Sequence, residues 1–69
     1  MTDRQIRATI HVCLAGPYKR QAVSPERLAV LAGTTSGRAA RVAAGLVDEG
    51  ILERVGESYR LAAGQMELP

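Results

Sequence analysis

Apolar side chains in the first part of the chain recur at helical spacing. Ile6, Ile10, Cys13 and Leu14 fall at i, i+4, i+7 and i+8, which is one stripe of an amphipathic helix. Thr2-Asp3-Arg4-Gln5 ahead of them has the form of a capping box, in which Thr2 and Gln5 satisfy each other's free backbone donors. Gly16-Pro17 ends the pattern, because the residue before proline avoids helical geometry and glycine suits a C-terminal cap. A second helix is predicted from Ser24-Pro25, with serine as N-cap and proline at the first helical position. Leu28, Leu31 and Ala32 make its inner face, and Gly33 stops it after two turns. Thr35 caps a third helix running from Ser36 to about Glu49, with Ala39, Val42, Ala43 and Leu46 inward and Gly50 at its end. Between the first two helices, Tyr18 to Val23 is a basic connection with room for a one- or two-residue strand at Ala22-Val23.

The period then changes from helical to alternating. Residues 51–55 and 58–61 flank Gly56-Glu57, a two-residue hairpin turn with glycine at its first central position. That turn fixes a register with Leu52 opposite Leu61 and Arg54 opposite Tyr59 on one face. On the other face Glu53 stands opposite Arg60, a cross-strand ion pair of favourable sign. Residues 62–69 have no periodicity and read as a tail, either frayed or the cut end of a longer chain, so residues 1–61 form the domain.

Helix, short strand, helix, tight turn, helix, hairpin is the element order of a winged helix-turn-helix, a mainly α fold of three helices plus a two-stranded wing. Leu28-Ala29, Ala32-Gly33, Thr35, Arg41, Leu46, Glu49 to Leu52 and Tyr59 to Leu61 carry the resemblance, which covers about residues 24–61. The pattern is similar to the DNA-binding cores of MarR- and GntR-type bacterial regulators. The stretch Gly37 to Arg41 with Gly50-Ile51 also resembles the gamma domain that orients bacterial DNA translocases. That domain usually has asparagine where this chain has Gly37. The resemblance implies a sequence-specific double-stranded DNA binder.

Composition narrows the classes. Of the 46% apolar residues, 11 are alanine, and there is no Phe or Trp, so sixteen Leu, Val and Ile with two Tyr must build the core. A chain this size buries only roughly 60% of its unfolded surface and leaves little material for pocket walls. No Ser/His/Asp or Cys/His set and no Walker-type loop is present, so no enzyme, cofactor or small-molecule substrate is expected. Cys13 is the one cysteine and His11 the one histidine, which excludes an internal disulfide and leaves zinc short of ligands. No apolar run approaches a membrane span, and the charged start from Met1 to Arg7 does not resemble a signal peptide. A reducing cytoplasmic compartment is the resulting expectation.

Charge is polarised along the chain. Residues 1–41 carry seven cations against Asp3 and Glu26, a balance of +5, whereas residues 42–69 stand at −3. Eight of the nine cations are arginine, whose planar fork suits phosphate and guanine, although a coding bias toward G and C is an equal source of that preference.

With the core stripe of the third helix inward, Gly37, Ala40, Arg41 and Ala44 project outward after Ser36, with Arg38 on the flank. A helix so presented suits the major groove. Arg38 or Arg41 forking onto guanine contributes about 1–3 kcal/mol of discrimination, Ala40 and Ala44 suit thymine methyls, and Gly37 removes bulk. Ser24 and Thr35 offer helix N-termini to phosphates, and Lys19, Arg20, Arg27, Arg54 and Arg60 are further phosphate candidates. Glu53 competes for Arg60, and the acidic Gly56-Glu57 tip points to backbone contact at most.

Other residues have plainer roles. Cys13 reads as a small buried hydrophobe and His11 as a solvated neighbour of Arg4 and Arg7. Tyr59 belongs to the core beside the Arg54 stem, Tyr18 covers one end of it, and Gly45 permits close packing of another segment.

Two functions remain open. The first is DNA reading, as a small transcriptional regulator or the targeting domain of a larger DNA-processing protein. A single module binds weakly alone, so a homodimer or a larger parent protein would supply avidity. The second is a winged-helix protein-interaction or dimerisation module, motivated by the small residues Ala40, Ala44 and Gly45 and by outward Val12 and Val30.

Overall fold

A computed structural model describes residues 2–62, so the tail from residue 63 onward lies outside the described residues. The first helix, α1, spans Asp3–Ala15 and opens on the expected capping box. The Gln5 amide donates to the Thr2 hydroxyl at 3.2 Å, and the Thr2 amide donates to the Gln5 side-chain oxygen at 2.9 Å. Gly16 does cap its end, but at φ −113° and ψ −104° rather than in the left-handed form. A Cβ there would come within 3.1 Å of the Val12 carbonyl oxygen, which explains glycine at that position.

Helix α2 spans Pro25–Ala32. The Ser24 hydroxyl accepts the Arg27 amide at its start, and Gly33 closes it at φ +67°. Helix α3 spans Ser36–Asp48, capped by the Thr35 hydroxyl accepting from the Arg38 amide. It stops one residue short of the sequence expectation. Glu49 is already its cap, and Gly50 at φ +79° lets the Ile51 amide reach back to the Leu46 carbonyl at 3.0 Å. Gly33, Thr34 and Thr35 are thus the entire turn between α2 and α3.

The hairpin pairs β1 (Leu52–Val55) with β2 (Ser58–Leu61), antiparallel, in the expected register. Arg54 faces Tyr59, Glu53 faces Arg60 and Leu52 faces Leu61. Gly56 takes φ +63° at the first central position of the turn. The strand expected at Ala22-Val23 is a single bridge, Val23 to Tyr59, on the other side of β2 from β1. Ala62, read with the tail, is still tied in, because its amide donates to the Ile51 carbonyl at 3.0 Å. The result is mainly helical with a small hairpin, the layout of a winged helix.

The core lies where the three helices and the inner hairpin face meet. Ile6, Ile10 and Leu14 enter from α1, Leu28, Ala29 and Ala32 from α2, and Ala39, Ala43 and Leu46 from α3. Val23, Leu52, Tyr59 and Leu61 close it. Three expected core residues, Cys13, Leu31 and Val42, are only half-buried, while Ala29 is buried instead. Each of the three sits on the flank of its helix's buried arc. Alanines at the centre of the arcs in α2 and α3 bring helix backbones close and leave the flanking side chains at the rim. His11 is half-buried rather than solvated, and Tyr18 packs against the core as expected.

Gly45 is not a packing glycine. A Cβ built on it meets nothing within 4 Å, so no segment of the described chain approaches it. Gly45→Ala is therefore expected to stabilise the fold by about 1 kcal/mol, the helix-propensity difference, raising Tm by about 4–8 °C in a thermal melt. An unchanged or lower Tm would mean that the surface at Gly45 is occupied in solution.

Candidate nucleic-acid interface

Helix α3 is anchored from beneath by Ala39, Ala43 and Leu46, which fixes the side it turns to solvent. Ser36, Gly37 and Arg41 are exposed there, and Ala40 and Ala44 are half-buried. A Cβ on Gly37 also meets nothing within 4 Å, so the outer first turn of α3 is a surface without bulk. Arg41 extends from it with 71% of its side chain exposed.

Arg38 stands differently from the sequence expectation. Its Nε donates to Oδ1 of Asp3 at 2.8 Å, and Arg41 Nη2 lies 3.8 Å from Oδ2 of the same carboxylate. Asp3 was not among the candidate residues. Thirty-five positions separate it from Arg38, and no local spacing signals the pairing. It follows from the way the first turns of α1 cross α3, whose other end is held by Arg7 and Glu49. Arg7 Nη2 donates to Glu49 Oε1 at 2.7 Å, and Nη1 also donates to Oε2.

The Arg7 hydrogen bonds hold the Glu49 carboxyl below its usual 4.5. A carboxylate with a depressed folded-state value contributes stability above its unfolded value and loses it as pH falls through the folded one. Glu49→Gln should therefore melt below the parent at neutral pH, with the difference closing as pH falls below 4.5. Thermal melts of both proteins across that range check it. A gap that persists in acid would show that the pair does not act through charge.

The phosphate candidates divide into two groups. Lys19, Arg20 and Arg27 are exposed, and Arg27 Nη2 reaches the Tyr18 hydroxyl at 3.4 Å, which draws the start of α2 toward the basic connection. Arg20 holds φ +70°, an uncommon conformation for a residue other than glycine, in a turn closed by the Gln21 amide donating to the Tyr18 carbonyl. The wing arginines are engaged within the fold. Arg60 Nε donates to Glu53 Oε1 at 2.9 Å. Arg54 lies over the Tyr59 ring, 5.5 Å from its centroid, and donates to the Tyr59 hydroxyl at 3.2 Å. Ser24 and Thr35 both spend their hydroxyls on capping their own helices.

A groove of about 420 Å³ lies between the start of α2 and the wing, with Ser24, Glu26, Arg54, Glu57 and Tyr59 among its lining residues. Two carboxylates beside one ring-stacked arginine make it a poor phosphate pocket, and the charge suited to a duplex lies on α3 and on the connection before α2. Among the described residues there is no group of three His, Cys, Asp or Glu placed to hold a metal ion. No described helix is long and apolar enough to cross a membrane. A scan of the chain against protein-family models finds no match, and a search among curated proteins finds none.

Proposed function

We propose that this chain is a module that binds double-stranded DNA sequence-specifically, laying α3 in the major groove. It would serve as a small transcriptional regulator or as the DNA-targeting domain of a larger protein. The observation that carries this reading is the bare first turn of α3. Gly37 costs the helix up to about 1 kcal/mol relative to alanine, the fold leaves its Cβ position empty, and Arg38 and Arg41 flank it on one side. A surface kept free of side-chain bulk at a helix start, next to an exposed guanidinium, suits close approach to base edges. Exposed Lys19, Arg20 and Arg27 supply further positive charge for phosphates.

Gly37→Ala separates folding from binding. The variant is expected to melt higher than the parent, yet to bind its selected duplex several-fold more weakly, measured by fluorescence anisotropy on a site recovered from a random duplex pool. A variant both more stable and equally tight would remove the main support for this orientation.

The exposed valines favour a second reading, a protein-interaction module. Val12 is 68% and Val30 75% exposed, on α1 and α2. A salt titration discriminates the two. Binding to DNA weakens steeply with ionic strength through counterion release, whereas an apolar protein contact does not.

A further inference from the structure

Among the described residues, the Asp3 carboxylate is the one acidic group that touches the outer arginines of α3, and it treats them unequally. It takes a hydrogen bond from Arg38 at Nε, at 2.8 Å. Its other oxygen is 3.8 Å from Arg41 Nη2, beyond hydrogen-bond reach. An arginine carries five N–H donors in a fixed planar fork, and the Nε bond uses only one of them. Among the described residues, Nη1 and Nη2 of Arg38 make no hydrogen bond. The edge that matches the O6 and N7 acceptors of guanine is therefore left unspent, while the rest of the guanidinium is held still. Asp3 is itself fixed, as the first residue of α1 within the turn that the Thr2–Gln5 capping box closes.

We infer that Asp3 is a positioning residue for base reading, and that it makes Arg38, rather than the more exposed Arg41, the more discriminating arginine of α3. This rests on the DNA-binding reading above. Binding to a base edge must order a flexible arginine, and Asp3 does that ordering in advance. Arg41, with its side chain 71% exposed, is steered only weakly by the same carboxylate. A negative charge beside a DNA-facing helix lowers attraction to any duplex, so its presence is better suited to discrimination than to affinity.

The test is a double-mutant cycle over Asp3→Asn and Arg38→Ala, reading binding to the selected duplex, to its single-base variants and to random duplex. Asp3→Asn keeps the side-chain shape and leaves both capping-box residues in place, and circular dichroism establishes that each variant is folded. Asp3→Asn is expected to lose about 2- to 12-fold discrimination at one base pair, the range that corresponds to ordering one rotamer-rich side chain. Its binding to random duplex should hold or tighten. In the Arg38→Ala background the same change should leave discrimination unaltered.

As a second measurement on the free protein, the Arg38 Nε–H resonance should exchange slowly with solvent in the parent and rapidly in Asp3→Asn. If Asp3→Asn tightens all duplexes equally, or alters discrimination just as much without Arg38, Asp3 is no positioning residue and the inference is overturned while DNA binding stands. If the parent binds no duplex in dilute buffer, the proposed function itself falls, and this role with it.

Discussion

Leu46→Ala is expected to remove a large share of the chain's stability, about 2–5 kcal/mol at 25 °C. Leu46 is fully buried in the last turn of α3, and its carbonyl also accepts the Ile51 amide that turns the chain into the hairpin. Truncating a buried leucine to alanine costs about 2–5 kcal/mol, through lost transfer energy and the cavity left behind. At about 0.05–0.15 kcal/mol per residue, a domain of this length has on the order of 3–10 kcal/mol in total. The core has no aromatic ring other than buried Tyr59, and alanine supplies four of its buried positions, so little material can slump into the gap. Urea titration followed by circular dichroism measures the effect. Val30→Ala is the control, because a side chain 75% exposed has almost nothing to lose. A loss below about 1 kcal/mol for Leu46→Ala would mean that α3 is not rooted as described.

The second large effect concerns recognition. Arg41→Ala should flatten preference at one base position of the selected site, by about 1–3 kcal/mol where its fork meets a guanine and by less than Arg38→Ala does. Lys19→Ala should weaken every duplex alike and reduce the salt slope by about one. The contrast matters more than either number, because a contact to base edges carries sequence information and a contact to phosphate carries none. Electrophoretic mobility shifts on the selected duplex and on its single-base variants, across a salt series, read both quantities. Identical behaviour of the two variants would place Arg41 off the groove.

Much of the fold was legible because its signals are local. A cap is decided by residues three positions apart, so Thr2, Ser24 and Thr35 marked the three helix starts. The turn glycine and the alternation on either side of it fixed the hairpin register. Burial was less legible at the flanks of the helices. Cys13, Leu31 and Val42 lie on the correct side of their helices, yet how deeply each is covered depends on how close the neighbouring helix comes, which the alanines of α2 and α3 decide. Gly45 shows the same limit, since a glycine that permits packing and one that faces open space look alike in sequence. The candidate interface was legible as a helix face and a set of cations. Which cations are already engaged was not. Asp3 with Arg38 and Arg7 with Glu49 depend on the path of α1 across α3, and only Glu53 with Arg60 could be read from register.

Val23 and Tyr59 exchange both backbone hydrogen bonds, at 2.8 and 2.9 Å, across an intervening stretch that contains α2 and α3 entire. The wing is therefore not a free finger. Its second strand is sewn to the residue that immediately precedes the Ser24 cap, so peeling the hairpin away would also loosen the entry to α2. Amide deuterium uptake should show this as shared protection, with the Val23 and Tyr59 signals decaying together and later than those at the Gly56 tip. A load applied to the wing by a bound macromolecule would accordingly be felt at the helix that buttresses α3, by way of two peptide groups.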